Sequence, residues 1–393
     1  MKPGKLRFAQ YLLPGIVFQS VLIGGAYATG REIVQYGARF GPLGAWSILA
    51  IFAGFSVMAM LAFEFARISR VYDYRSFIRS LIGPLWPLFD FLFVVMAIII
   101  IAVVGAASGS VVEEILGLPF WVGVGLVIVL VGALNASGRR AIEQFKTYGS
   151  VLLYAGYILF AGLILAKKWG NVVGAFEMGS RAFGVSATSD GASALGGGLT
   201  VGAAVTTGIL YVGYNLATLP ATSFTLDRQT RRRQALLAGM LAGLMSTIPF
   251  VLTFLAIMAF YPDEKVLGAA VPWLAMLRRE TGEPVIWIYA LVILWTLIET
   301  STGMIHAIVD RIAVNLKELD RRPLERGQVA ALTVSVLLVA ALLSRIGLID
   351  LVARGYTMMA YGFLLLFALP LATVGLVRIL RYREVWSEVG SCC

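Results

Sequence analysis

The chain has 393 residues, of which 59% are hydrophobic and 14% are charged. A soluble domain carries about 25% charged residues, so this composition excludes an ordinary soluble protein and predicts an integral membrane protein. The net charge of +10 does not indicate a nucleic-acid partner, because the basic residues cluster between long apolar runs.

The apolar segments are continuous, which predicts transmembrane helices and not the alternating strands of an outer-membrane barrel. We place ten spans near residues 10–37, 42–66, 84–112, 119–136, 140–166, 196–225, 233–261, 284–312, 327–344 and 355–379. Most of the 32 Lys and Arg residues then lie on the side of the N-terminus. This bias predicts a multi-pass protein of the inner (plasma) membrane, a single transmembrane domain over residues 1–393 in the lipid bilayer, with both termini cytoplasmic.

The first span is interrupted by the segment Gly24-Gly25-Ala26-Tyr27-Ala28-Thr29-Gly30. Each glycine inside a helix costs about 1 kcal/mol relative to alanine. Backbone leaves the helical ladder in a bilayer only where it is buried in protein or lines a watery cavity. The segment therefore predicts either a broken helix that binds a ligand near the membrane midplane, or a close-packing face for a neighbouring helix.

The second half of the chain repeats this arrangement. Five predicted spans run from residue 10 to 166 and five from 196 to 379, and each set opens with an interrupted span. The sixth span contains Gly213-Tyr214-Asn215 and Pro220, which are poor choices for mid-helix. An odd number of spans per half inverts one half relative to the other. Interrupted spans at matching places in inverted halves indicate a transporter binding site, and favour the broken-helix interpretation.

Polar side chains on the eighth span recur at helical spacing. Trp295, Glu299, Thr302, His306 and Asp310 are separated by steps of three or four residues, which predicts one helical face. An ionisable group in mid-span usually faces a cavity or a partner, so Glu299 is either a binding residue or a structural partner. His306 is the only histidine and is either a proton carrier or a packing residue.

Three hydroxyls follow Glu299 directly, in Thr300-Ser301-Thr302. Hard cations prefer oxygen ligands, so two of these hydroxyls with carbonyls from the first-span break would hold Na⁺. The alternative is that each hydroxyl bonds back to its own helix. The coupling ion is therefore either Na⁺ or a proton carried by Glu299 and His306. No catalytic constellation is present, and no cofactor is expected.

Residues on the predicted outer side offer a gate. Arg31 and Asp350 would pair across the vestibule, although Arg31 could instead pair with the neighbouring Glu32 or extend toward the interface. The segment 272–277 is amphipathic and predicts either a re-entrant lid or a surface helix. Residues 167–195 predict an outer loop, because they are rich in Gly and Ser.

The segment from Gly24 to Ile33, together with Gly213-Tyr214-Asn215, resembles the YkvI-like bacterial membrane proteins. That group looks like a branch of the amino acid–polyamine–organocation superfamily, whose LeuT-like fold has ten helices in a 5+5 inverted repeat. The resemblance implies alternating access around a site between spans one, three, six and eight. It implies a sodium ion between the first-span break and the hydroxyls of the eighth span. It also makes the third span, including Ser108, a wall of the site.

These observations predict an all-α secondary transporter of a small organic solute, an amino acid or a small amine, with sodium symport favoured. A proton-coupled carrier and a non-transporting membrane sensor are the alternatives. The predicted substrate site comprises Gly24, Gly25, Ala26, Tyr27, Ala28, Thr29, Ser108, Tyr211, Gly213, Tyr214, Asn215, Trp295 and Glu299. The predicted Na⁺ ligands are Gly24, Tyr27, Thr300, Ser301 and Thr302.

Overall fold

The structure is a computed structural model and describes residues 3–136, 139–186 and 200–382. It is helical throughout the described residues. The α-helices are α1 Pro3–Tyr11, α2 Leu13–Leu22, α3 Gly25–Thr29, α4 Arg31–Tyr36, α5 Gly44–Ser69, α6 Tyr74–Ile82, α7 Trp86–Leu116, α8 Phe120–Ala136, α9 Arg139–Ser186, α10 Val201–Asn215, α11 Arg232–Met258, α12 Glu264–Leu267, α13 Pro272–Glu280, α14 Glu283–Glu318, α15 Arg326–Ser344, α16 Leu348–Asp350, α17 Thr357–Phe363 and α18 Leu376–Arg381. Three-residue-per-turn segments cover Ala38–Leu43, Gly83–Leu85 and Leu216–Thr225, and wider π turns cover Leu351–Tyr356, Leu364–Ala368 and Leu371–Gly375.

Seven helical segments of the described residues are long and apolar enough to cross a membrane. The interrupted first span, the 17-residue α8 and the α10 segment are shorter. A membrane protein built from helices is therefore confirmed, whereas the number of ten spans stays a prediction. The two repeat boundaries also stay predictions, and Gly196, the start of the second repeat, lies outside the described residues.

The first span breaks where the glycines predict. Gly24 is fully extended, with φ −151° and ψ −172°, and separates α2 from α3. Gly30 has a φ of +83°, a left-handed conformation that glycine adopts without steric cost, and separates α3 from α4. Residues 25–29 thus form a single helical turn between two breaks.

The sixth span changes its winding but stays helical. Asn215 ends α10 with φ −71° and ψ −18°, and the chain continues as a tighter helix through Pro220 to Thr225. The tighter winding suits Pro220, whose missing N–H and ring disrupt the ladder of an α-helix. The predicted interruption is therefore overwinding here, and not extended backbone.

A close seam of small residues joins α5 to α11. A Cβ added to Gly243 would lie 2.6 Å from the backbone nitrogen of Ser56, and one added to Gly239 would collide with the Met60 backbone. The backbones of the two helices are in contact at both positions. Small residues allow this approach. In a membrane, helices associate mainly through such close packing, because the hydrophobic effect does not draw them together in lipid.

Two predicted boundaries are wrong. The fifth span was expected at 140–166 with a loop over 167–195, but α9 continues to Ser186 after a kink at Lys168 (φ −125°, ψ 24°). The tenth span was expected at 355–379, but helical turns run from Leu348 to Arg381. In both cases the helix extends past a charged residue, Lys168 or Arg354, because helix length is not limited by hydrophobicity.

Candidate substrate site

Two adjoining cavities lie beside the first-span break. The smaller has a volume of about 40 Å³, and the larger about 390 Å³. Residues that line both are Val21, Gly24, Phe93, Thr218, Thr300 and Met304. The larger cavity extends along α14 as far as Arg311, near the C-terminal end of that helix.

The break is held against α14 by one hydroxyl. The Gly25 amide donates a hydrogen bond of 2.9 Å to Thr300 Oγ1. A Cβ on Gly24 would lie only 2.6 Å from the same oxygen. Glycine at position 24 is therefore required by the approach of Thr300, since the extended conformation itself is open to any residue.

The predicted substrate residues divide into two groups. Those that line the smaller cavity are Gly24, Gly25, Ala26, Tyr214 and Asn215, and Glu299 lines the larger one. Those that lie outside both cavities are Tyr27, Ala28, Thr29, Ser108, Tyr211, Gly213 and Trp295. Their positions in the sequence place them on helices that line the cavities, but about half of each helical turn faces away from the cavity.

The residues outside the cavities have structural partners. The Tyr27 ring is fully buried, and its carbonyl accepts a hydrogen bond from the Tyr157 hydroxyl at 2.8 Å. Ser108 donates to the Gly123 carbonyl at 2.7 Å and so joins α7 to α8. A Cβ added to Gly213 would lie only 2.9 Å from Leu364, so this glycine packs closely against that side chain. Residues at these positions pack on the side of each helix that faces away from the cavity.

Glu32 lines the smaller cavity and was not among the predicted site residues. Its side chain is 5% exposed. The Tyr214 hydroxyl donates a hydrogen bond of 2.6 Å to Oε2. The pair predicted between Glu32 and Arg31 is not formed. The sequence did contain a signal for Glu32, because an acidic residue two positions after the Gly30 break is unusual inside a span. A local pair with the adjacent Arg31 was the simpler interpretation of that residue.

The predicted sodium ligands are only partly available. The hydroxyls of Ser301 and Thr302 are fully buried and have no hydrogen-bond partner among the described residues. The Thr300 hydroxyl already accepts from Gly25. The Tyr27 carbonyl accepts from Tyr157 and also from the Gly30 amide at 3.0 Å, which occupies both of its lone pairs. The Gly24 carbonyl accepts one hydrogen bond, from the Tyr27 amide at 2.9 Å, so it and Thr300 Oγ1 each keep one lone pair for Na⁺ beside the two free hydroxyls.

His306 does not share the cavity face of α14 with Glu299. Its side chain is 40% exposed and lies 3.4 Å from Asp310, four residues further along the helix. Residues of α14 that line the larger cavity are Thr296, Glu299, Thr300, Gly303, Met304, Ala307 and Arg311. Among the groups proposed for proton coupling, the structure brings only Glu299 to a cavity.

The side opposite Arg311 is covered by α13. Trp273, Leu274, Met276 and Leu277 are buried, so the segment 272–277 packs inward and is not a surface helix. Trp273 lies over the second break, where a Cβ on Gly30 would be 3.0 Å from its ring.

The predicted Arg31–Asp350 pair is not formed in this structure. The Arg31 guanidinium donates instead to the carbonyls of Leu267 and Ala269, at 2.7 and 3.1 Å. Asp350 pairs with Arg354 at 3.3 Å on the surface. Arg31 is buried, and backbone carbonyls satisfy its charge at a distance from water. Arg31 thus ties the segment before α13 to the first span.

We expect Arg31→Ala to loosen this cover. Hydrogen bonds from a charged donor contribute about 1.5–3 kcal/mol, so amide exchange in residues 264–280 should become about 10- to 100-fold faster. Hydrogen–deuterium exchange measured by mass spectrometry checks this. Arg39→Ala, at an exposed arginine of the same region, is the control and should leave the exchange unchanged. Equal exchange in both variants would show that Arg31 does not hold the cover.

A buried charge cluster lies at the other end of the larger cavity. Arg75 of α6 donates to Asp90 of α7 at 3.1 Å and to Glu318 of α14 at 2.8 Å. Arg311 lies 3.6 Å from the same Asp90. All three central side chains are less than 10% exposed. The cluster joins three helices around one carboxylate.

These features together define a class: a helical membrane protein with a broken first span and a cavity at the break. No family model and no curated protein matches the sequence. The chain is similar to a variant of the manganese transporter of Eremococcus coleocola, with 17% identity, a TM-score of 0.54, and coverage of 95% of this chain and 78% of that one.

Two further solved structures have the same fold. One is a Na⁺-coupled sialic acid symporter in a substrate-bound outward-open state, with 13% identity, a TM-score of 0.56, and coverage of 94% and 85%. The other is Mhp1 in an inward-facing conformation, with 15% identity, a TM-score of 0.57, and coverage of 93% and 78%. These similarities confirm the predicted LeuT-like fold. The YkvI-like branch stays a prediction.

Proposed function

We propose that this chain is a secondary active transporter of a small organic solute, an amino acid or a small amine, that works by alternating access and sodium symport. One-sided access to the site carries the proposal. The cavity beside Gly24 continues toward Arg311, whereas Tyr27, Arg31 and Trp273 fill the opposite side. A carrier that alternates between two openings has this asymmetry in either end state. With both termini in the cytoplasm, the structure corresponds to an inward-open state.

The cavity walls favour an organic solute. The smaller cavity combines one carboxylate, Glu32, with an amide side chain, Asn215, and with tyrosine and aliphatic side chains. Mostly apolar walls with a few convergent polar groups are typical of organic ligand sites. Among the described residues, no group of three or more His, Cys, Asp or Glu side chains converges. A divalent metal cargo is therefore the less favoured substrate.

Sodium coupling is supported by the two unpartnered hydroxyls. A buried hydroxyl without a partner costs about 1–3 kcal/mol, and a bound cation would remove that cost for Ser301 and Thr302. The alternative is proton coupling through Glu299, which lines the larger cavity. A sensor on the same fold would bind the solute without moving it.

The test is charge movement in proteoliposomes challenged with amino acids and small amines, with and without Na⁺, at two pH values. We expect currents that require Na⁺. The double variant Ser301→Ala with Thr302→Ala should lose Na⁺ dependence, because both hydroxyl ligands are removed. Ser335→Ala, whose exposed hydroxyl bonds to its own helix at 2.8 Å, is the matched control and should behave as the native protein.

Three outcomes contradict parts of the proposal. Unchanged Na⁺ dependence in the double variant excludes this ion site. Currents that depend on pH and not on Na⁺ indicate proton coupling through Glu299. Binding detected by thermal shift without any flux, measured with radiolabelled solute, favours the sensor.

A further inference from the structure

We infer that Glu32 binds the positively charged nitrogen of the solute, so that the site selects compounds with a primary ammonium group. The inference rests on the proposed function and names the substrate class for the same cavity. Its basis is the placement of a membrane-embedded carboxylate against a cavity, with no Lys, Arg or His of the described residues paired with it.

A negative charge on Glu32 would not be balanced by any described residue. Its one hydrogen-bond partner among the described residues is the Tyr214 hydroxyl, and no Lys, Arg or His forms an ion pair with it there. The adjacent Arg31 is directed to the Leu267 and Ala269 carbonyls. Burying an unpaired ion costs several kcal/mol. A cationic ligand recovers this cost, because it brings the missing charge into the cavity.

The other polar groups at the smaller cavity include acceptors as well as donors. The Asn215 side chain donates one of its two Nδ2 N–H groups to the Tyr211 carbonyl, at 2.9 Å, and keeps Oδ1 as an acceptor. The Gly25 amide is taken by Thr300, so it is not available to a carboxylate ligand. An ammonium group has three donors and no acceptor. The Glu32 carboxylate and the Asn215 oxygen together therefore complement a cation.

The dimensions of the smaller cavity agree with this assignment. Its volume of about 40 Å³ accommodates an ammonium head or a few water molecules, at roughly 10–15 Å³ for each water. The rings of Phe93 and Tyr356 belong to the same wall, and aromatic faces attract cations. The body of the solute would occupy the larger adjoining cavity, where the Arg311 guanidinium disfavours a second ammonium.

Glu299 is a less suitable partner for the ammonium group. It lines the larger cavity, which also has Arg311 on its wall, and its side chain is only partly buried. A more exposed carboxylate gains less from an ion pair, because water already solvates it. The buried Glu32 therefore discriminates between a charged and an uncharged ligand more strongly.

The experiment measures binding by thermal shift and isothermal calorimetry on the full chain in detergent. The probes are pairs that differ in one group: phenethylamine against phenethyl alcohol, and leucine against its hydroxy-acid analogue. We expect the native protein to bind the ammonium member of at least one pair about 100-fold more tightly. Equal binding within each pair, or tighter binding of the uncharged member, overturns the inference without any variant.

Variants then locate the charge. Glu32→Gln keeps the size of the side chain and an acceptor for Tyr214, and should remove the preference for ammonium while the hydroxyl analogue binds as before. Tyr214→Phe keeps the carboxylate and should weaken binding by no more than about tenfold. Glu113→Gln, at an exposed carboxylate of α7, should change nothing. Equal losses in Glu32→Gln and Tyr214→Phe would show that Glu32 is only a structural partner, and overturn the inference.

The outcome is separable from that of the proposed function. Absence of flux for every solute contradicts transport, but the charge preference in binding would persist. Flux without charge preference contradicts the role of Glu32 and leaves transport intact.

Discussion

Replacing Gly24 by alanine is expected to reduce transport about 10- to 100-fold. The new methyl carbon would lie 2.6 Å from Thr300 Oγ1 and 3.3 Å from its Cγ2. Overpacking of this kind costs about 1–3 kcal/mol, and here the cost falls on the contact between the first-span break and α14. The Gly25–Thr300 hydrogen bond would be displaced with it. Initial rates of solute uptake in proteoliposomes measure the effect.

A double-mutant cycle gives this prediction its control. Thr300→Ala alone loses one hydrogen bond, worth about 1 kcal/mol, but it also removes the atoms that the new methyl group meets. The combination of Gly24→Ala with Thr300→Ala should therefore be less impaired than the sum of the two single variants. Gly132→Ala on α8, where an added Cβ has no atom within 4 Å, should retain full transport. Simple additivity would show that the steric contact is not the cause.

Removing the carboxylate of Asp90 is expected to destabilise the protein by about 3–5 kcal/mol. Asp90→Ala leaves Arg75 and Arg311 buried without their shared counter-charge, and uncompensated buried charges are among the costliest changes in a protein. Part of the charge of Arg75 would still be met by Glu318 at 2.8 Å, but Arg311 would retain only ring contacts within the cluster. Thermal unfolding in detergent, followed by tryptophan fluorescence, measures the loss.

The surface pair between Asp350 and Arg354 is the matched control. Its N–O distance of 3.3 Å is close to the 3.1 Å of Arg75–Asp90, but the Arg354 side chain is 87% exposed. Exposed pairs contribute about 0–1 kcal/mol, so Asp350→Ala should lower the unfolding temperature only slightly. Similar losses in Asp90→Ala and Asp350→Ala would contradict the role given to burial.

The first-span break could be predicted because its cause is local. Glycine weakens a helix wherever it stands, so Gly24 and Gly30 mark the two breaks without knowledge of the neighbours. The hydroxyl of Thr300 as a contact of the break was also within reach, since three hydroxyls in mid-span need partners. The LeuT-like fold was implied by the resemblance of residues 24–33 and 213–215 to a known family, and three solved structures confirm it at the level of fold.

The orientation of side chains could not be predicted in the same way. The stripe from Trp295 to Asp310 has helical spacing, but the face that lines the larger cavity is rotated from it by about a quarter turn, at 3.6 residues per turn. Spacing identifies a possible face and does not say which neighbour it meets. Glu299 lies near the boundary of the two faces, whereas His306 lies away from the cavity.

Charge pairing was the other limit. Arg31 and Glu32 are adjacent, and a local pair was the simplest interpretation, yet the partners of Arg31 are carbonyls more than 230 residues away. Asp90 is likewise joined to Arg311 across more than 200 residues. Contacts of this separation depend on how the helices pack, which no local pattern of the sequence contains.

The glycine seam between α5 and α11 has a mechanical consequence. Gly243 and Gly239 bring the two backbones so close that sliding one helix along the other would drive Cα atoms into each other. The helices α5 and α11 therefore form one rigid unit. Relative motion is easier where a side chain separates two segments, as where the Thr300 side chain lies between α14 and the first-span break. Opening and closing should accordingly move α5 and α11 together.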